Sequence, residues 1–243
     1  GLGAVTNGES GSFGGSGVVI VAYEISNAFN AATGGTETII DDYNGTGEQW
    51  KTHTFLATET LEIYNSPNPY SYLLVGRGGD PGTFPANSGG VGGGGGGGGF
   101  LNKTDQEIPA GSYEVVIANP VSFNGDSAAT GDRGQGESNG SNGGASGIPT
   151  RHSGGGPYIP WEGGGGGGAG GNGATGAGNG SPPGGAGLAS NITGSNTVYG
   201  AGGGGQLQSW NSAIAGKGFS GQAAGIVVAY QIGVSTIAQI KVA

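Results

Sequence analysis

The chain has no cysteine and no methionine, and only 9% of its 243 residues are charged. Without cysteine there is no disulfide, no thiolate metal site and no cysteine nucleophile. Seven lysines and arginines face 16 aspartates and glutamates, a net charge of −9, so the basic footprint expected of a partner for nucleic acid or an anionic membrane is missing. No apolar run approaches the roughly 18 residues of a membrane span, which argues against membrane insertion. The two histidines and the scattered acids form no metal-ligand spacing, and neither metal nor cofactor is expected. No stretch of about ten residues carries a helical apolar period, so essentially no α-helix is expected. No signal peptide is visible and the first residue is not Met, which reads as a processed form or a piece of something longer.

What fills the chain instead is glycine, 63 residues, gathered into runs at Gly92–Gly99, Gly154–Gly156, Gly163–Gly168 and Gly202–Gly205. Glycine has no side chain to bury and loses the most conformational entropy on ordering. With proline it makes about 30% of the chain, a composition whose default is disorder. Against that default, the first run is flanked by segments of strand character, Tyr72-Leu-Leu-Val75 and Ser112-Tyr-Glu-Val-Val-Ile-Ala118. An ordered run must find partners for every N–H and C=O. A left-handed helix of three residues per turn points those groups outward, where neighbouring helices of the same kind can meet them. At about 3.1 Å per residue, eight glycines would span roughly 25 Å. Collagen fails as a rival: the spacing of Gly170, Gly173 and Gly176 breaks at Gly178, and only 11 prolines are present.

Gly17-Val-Val-Ile-Val-Ala-Tyr23-Glu-Ile25 reappears near the end as Gly225-Ile-Val-Val-Ala-Tyr230-Gln-Ile232, with the tyrosines 207 residues apart. One reading makes this a repeat: residues 1–25 close a preceding unit, 30–232 form one glycine-rich unit, and 233–243 are a connecting or inter-subunit strand. The other makes both segments strands of one sheet. Within the unit, 30–75 reads as entry strands, 76–205 as a glycine block and 206–232 as closing strands. The expected entry strands are Thr36–Ile40, Gln49–Phe55 and Glu59–Tyr64, separated by turn chemistry at Asn44-Gly45 and Pro67-Asn-Pro69. Trp50, Phe55 and Tyr64 lie in these strands and Tyr72 in the strand-like segment before the first glycine run, and all four are expected in the core. The fold class expected is all-β: antiparallel, sandwich-like strands combined with packed polyglycine II helices.

Several short motifs carry less than their patterns suggest. Gly136-Glu-Ser-Asn-Gly140 fits G-x-S-x-G, but no helix follows and so glycine-rich a chain produces the pattern by chance. Gly216-Lys217-Gly218 lacks the Ser or Thr of a phosphate loop. No catalytic constellation stands out, and an enzyme is not expected. The inserts between glycine runs are the better signal. Arg151, His152, Tyr158 and Trp161 fall within one insert, and Phe84, Tyr199 and Trp210 stand in others. Tyr and Trp among Gly, Ser and Asn is the composition of a recognition loop. The same aromatics could instead cap the ends of the glycine layer and shield bare backbone from water.

Tyr72-Leu-Leu-Val-Gly-Arg-Gly-Gly79, the run after it, Gly111-Ser-Tyr-Glu-Val-Val-Ile117 and the closing Gly-Ile-Val-Val-Ala-Tyr230 together resemble the glycine-rich domain of phage tail and fibre proteins. Ser16-Gly-Val-Val-Ile-Val-Ala-Tyr23 is similar to that family's final strand motif. The resemblance covers about 70–232. Arg77 interrupts the first glycine turn, Asn119-Pro120 stands where glycine usually continues, and the insert 121–161 is long. The resemblance implies a non-enzymatic, structural fibre component on a virion surface, outside the cell. It would assemble with itself, a trimer being favoured, and with other virion or fibre proteins. Its loops would touch a host surface glycan or outer-membrane protein through Phe84, Arg151, His152, Tyr158, Trp161, Tyr199 and Trp210. The alternative is a purely structural subunit of an extracellular filament or shell, joined through terminal strands, with no receptor.

Overall fold

A computed structural model describes residues 31–65, 69–83, 91–137, 144, 146–158, 162–178, 180–207, 216–218 and 222–234. The described chain is all-β. Its strands are β1 (Ala32–Thr33), β2 (Thr36–Ile40), β3 (Glu48–Phe55), β4 (Glu59–Ile63), β5 (Tyr70–Val75), β6 (Val91–Gly92) and β7 (Phe100–Gln106). There follow β8 (Gly111–Val115), β9 (Val121–Phe123), β10 (Asp126–Ala128), β11 (Gly136–Glu137), β12 (Leu188–Ser190), β13 (Thr197–Tyr199) and β14 (Gly225–Val234). The turn expected at Asn44-Gly45 is a short 3-10 turn, Tyr43–Gly45. Among the described residues no helix is long and apolar enough to cross a membrane.

The main sheet has five antiparallel strands in the order β2-β3-β14-β5-β7. β14 is central, and its density of Val and Ile follows from burial on both faces. Ile226, Val228, Tyr230 and Ile232 point into a core completed by Leu61, Ile63 and Val115 of the β1-β4-β8 sheet, and by Val121, Phe123 and Ala128 of the β9–β10 hairpin. Val227 and Ala229 point the other way, into a smaller cluster with Leu73, Val75, Phe100, Ala169, Ile192 and Tyr199. Phe55 and Tyr72 are core residues, as expected. Trp50 is only half-buried, stacked on Tyr43 with ring centroids 4.4 Å apart. Tyr64 corrects the expectation outright: it is 63% exposed. Ile63 is the last inward side chain of β4, so Tyr64 faces solvent and pairs its hydroxyl with Thr33 Oγ1 at 3.0 Å.

The glycine runs grow out of this sheet. Val75 of β5 pairs with Phe100 of β7, and the same register continues as Gly76 N–H to Gly99 O, Gly79 to Gly96 and Gly82 to Gly93, at 2.7–2.9 Å. The step between bonds changes from two residues to three. Around residues 92–99 the bonds go to six neighbours in a closed ring. Gly93, Gly96 and Gly99 donate to residues 129–135, while Gly94 and Gly97 donate to 163–168. Gly98 donates to Lys217. The carbonyls of Gly93, Gly96 and Gly99 accept from 76–82, those of Gly94 and Gly97 from 144–147, and those of Gly92 and Gly95 from 200–206. Residues 163–169 have a ring of their own: 92–99, 144–147, 153–156, 171–176, 182–186 and 200–206. Two axial segments sharing two rim segments make a double hexagon.

No other residue fits inside. A Cβ at Gly95 would fall on the carbonyl oxygen of Gly79, and one at Gly166 on that of Gly95. Each hydrogen bond contributes about 1 kcal/mol net, and each ordered backbone residue costs roughly 1–2 kcal/mol. By itself the lattice is therefore unfavourable, and it depends on the two apolar clusters of the sheets.

The glycine block is more interrupted than the sequence suggests. β7, the β9–β10 hairpin and the β12–β13 hairpin all lie within 76–205. Conversely, Gln206 and residues 216–218 belong to the lattice and not to closing strands. The Gly17–Ile25 copy of β14, residues 1–30 generally and 235–243 lie outside the described residues.

Candidate functional site

The lattice segments alternate in direction. Residues 76–82, 129–135, 153–156, 171–176 and 200–206 run away from the five-stranded sheet, and 92–99, 144–147, 163–169, 182–187 and 216–218 run back. Described residues 82–83, 91–92, 136–137, 158, 162, 177–178, 180–181 and 206–207 therefore lie at the end remote from the sheet.

Its organising residue is Glu162, fully buried at the start of an axial segment. Oε2 accepts the N–H groups of Ala177 at 2.7 Å and Gly178 at 2.8 Å, and Oε1 that of Gly180 at 3.0 Å. Desolvating a carboxylate is costly unless such charge-assisted bonds replace water. The backbone of Glu162 also bridges Tyr158 on one side and Leu207 on the other. Through its side chain and its backbone, this one residue thus ties Tyr158, the residues around Gly178 and Leu207 together. Tyr158 is 48% exposed, and its ring lies over Gly178, where a Cβ would come within 3.0 Å of Cε1. Gly178 has φ +79°, a conformation that glycine adopts without strain.

A second feature lies on the flank of the same end. Thr83, Arg133, Gly134, Gln135 and Gly136 line an open cleft of about 470 Å³. Arg133 donates from Nη2 to Thr83 Oγ1 at 2.7 Å and from Nε to the Pro81 carbonyl at 3.4 Å.

The residues singled out in the sequence do not form one patch. Tyr158 is at the distal end. Arg151 and His152 precede residues 153–156 and lie at the other end of that segment, near the sheet. Arg151 pairs with Asp132 at 2.9 Å, and the main chain of His152 accepts from Ser146 N–H at 2.9 Å. At about 3.1 Å per residue, the seven residues from Arg151 to Tyr158 correspond to roughly 20 Å. Tyr199 is not a surface residue: it is 3% exposed and packs in the cluster under the sheet, because β13 folds back over Leu73 and Val75. Phe84, Trp161 and Trp210, and Ser138 of the G-x-S-x-G pattern, lie outside the described residues. Glu162 and Arg133 were not anticipated. A signal was available for Glu162, a lone ionisable residue set against glycine in Trp-Glu-Gly-Gly. Among the described residues, no group of three or more His, Asp or Glu could hold a metal ion. No family model, curated protein or solved structure matches the chain.

Proposed function

We propose that the chain is a structural fibre component of a virion, a tail or head fibre, which presents its distal connections to a host-cell surface receptor. The observation that carries this reading is that exposed Tyr158 and the Glu162 clamp stand together at one end of a lattice built from bare backbone. The segments of that lattice are polyglycine II helices in this reading, supported by their three-residue hydrogen-bond period and six-fold neighbours. Side-chain cohesion comes from the two apolar clusters of the sheets, away from Tyr158. Tyr158, exposed and backed by the Glu162 clamp, is a rigid amphipathic contact of the kind that dominates interfaces. The role is non-enzymatic and extracellular, on the virion surface. The partners are further copies of the chain, with a trimer favoured, other fibre proteins, and a host glycan or outer-membrane protein.

The test is binding of labelled protein to intact cells that the virion adsorbs to, together with antibody labelling of virions by electron microscopy. Saturable binding, competed by unlabelled protein and lost on Tyr158→Ala, supports the reading. Labelled fibres with no cell binding reduce it to the structural subunit alone. Among the described residues β2 and β7 are the outer strands of the main sheet, which favours that second reading, since edge strands are ready templates for joining subunits. Unlabelled virions remove both.

A further inference from the structure

We propose that the Arg133 cleft binds the carboxylate of an acidic sugar, a uronic acid residue of a host surface polysaccharide; the inference rests on the receptor-binding reading. Lys51, Arg77, Lys103 and Arg151 each lie within 2.9 Å of a carboxylate. Arg133 does not: among the described residues its acceptors are the hydroxyl of Thr83 and the carbonyl of Pro81, both neutral. A guanidinium has five N–H donors in a planar fork. Two neutral acceptors fix its orientation and its charge reaches the Asp80 carboxylate only without a direct bond, which leaves the rest of the fork for a bidentate anion.

The surroundings select the kind of anion. The acids on either side of Arg133 are already engaged, Asp80 with Arg77 at 2.6 Å and Asp132 with Arg151 at 2.9 Å. The chain as a whole carries −9. Screening beyond about 8 Å at physiological ionic strength weakens that repulsion without removing it. A monoanionic carboxylate suffers less from it than a phosphate dianion. Thr83 lines the cleft beside Arg133 and brings a hydroxyl within reach of a sugar's own hydroxyl groups. A single cleft of this kind gives weak binding, with a dissociation constant on the order of 1 mM, and repetition along a polymer and an oligomer raises it.

The experiment titrates the full chain with oligogalacturonate and oligoglucuronate, and with their methyl esters, which keep the rings and remove the charge. Binding is read by calorimetry, and cell attachment is measured separately. At least one acid oligomer is expected to bind at least tenfold more tightly than its ester, more weakly as salt rises, with Arg133→Gln abolishing the difference at an unchanged melting temperature and Arg133→Lys keeping part of it. Equal binding of acid and ester, no binding of any oligomer, or full binding by Arg133→Gln would overturn the inference. Should Arg133→Gln fail to fold, the acid and ester pairs on the unaltered chain and Arg133→Lys still decide. Cell attachment without uronate binding overturns this inference alone, whereas uronate binding without attachment overturns the receptor-binding reading and leaves the site.

Discussion

Tyr158 and Glu162 face each other across a two-bond backbone bridge, N–H to O at 3.2 Å in one direction and 3.0 Å in the other. The bridge puts the carboxylate of Glu162 beneath the connection that the Tyr158 ring covers. Glu162→Ala would leave the N–H groups of Ala177, Gly178 and Gly180 without their acceptor. The expected loss is about 2–4 kcal/mol of stability. It should be accompanied by faster hydrogen exchange at those three amides and no change at β14. Glu162→Gln should recover part of it, since an amide oxygen can serve only one side of the nest. Unchanged exchange at 177–180 in the alanine variant would mean that the clamp contributes nothing.

The lattice makes a contrasting prediction about glycine. Gly95→Val and Gly166→Val should each abolish folding, because the new Cβ lands on a main-chain oxygen that has nowhere to move. Gly180→Ala should be tolerated, as no atom lies within 4 Å of the position its Cβ would take. Circular dichroism and thermal melts of the three variants are enough to check this. A folded Gly95→Val protein would show that the close packing described here is wrong.

The fold was legible where side chains carry the signal. Thr36–Ile40 is β2 as expected, and the Val/Ile density of 225–232 marks the central strand. β7 was missed because Phe100-Leu-Asn-Lys-Thr-Asp-Gln is mostly polar, being an edge strand with a solvent face. The hairpin of β12 and β13 was missed because its strands are three residues each, too short to show alternation. The three-residue hydrogen-bond step of the runs was expected from the need to satisfy bare backbone, but the pairing of segments could not be. Glycine offers no pattern by which one run could be matched to another. Of the aromatics singled out in the sequence, Tyr158 is exposed at the distal end. Tyr199 carried the same compositional mark and is a core residue, and Glu162 was overlooked because an isolated acid has no periodicity.

His53 gives the stability a pH dependence. It is fully buried in β3, with Nδ1 2.8 Å from the Gly34 carbonyl, Nε2 3.5 Å from the Tyr230 hydroxyl, and Glu37 and Lys51 beside it. Burial holds the imidazole below its ordinary value, and the Gly34 carbonyl and Glu37 carboxylate oppose this without cancelling it. The unfolded chain therefore takes up a proton first. The contribution is fully present above the unfolded value of about 6.5 and is lost as pH falls from there through the lower folded value. The melting temperature should fall between pH 7.5 and pH 5, and His53→Gln should flatten that part of the curve. An equal slope in the variant would assign the effect to other groups.

Attachment should depend on the two ends of the lattice unequally. Tyr158→Ala removes an exposed ring that packs on Gly178 and makes no contribution to either apolar cluster, so folding and assembly should be unchanged. If the distal end is the contact surface, cell attachment should weaken by about 2 kcal/mol, roughly thirtyfold, the loss typical of a central aromatic. Arg151→Ala breaks an exposed ion pair near the sheet end, a change worth at most about 1 kcal/mol of stability, and should leave attachment as it was. The two variants separate the readings of the insert 150–161. Weaker attachment in both would return Arg151 to the contact surface, against the separation described here. Normal attachment by Tyr158→Ala, with its oligomeric state intact, would make Tyr158 a cover for the end of the lattice. Loss of assembly in that variant would place the distal end between subunits and leave the filament reading in its place.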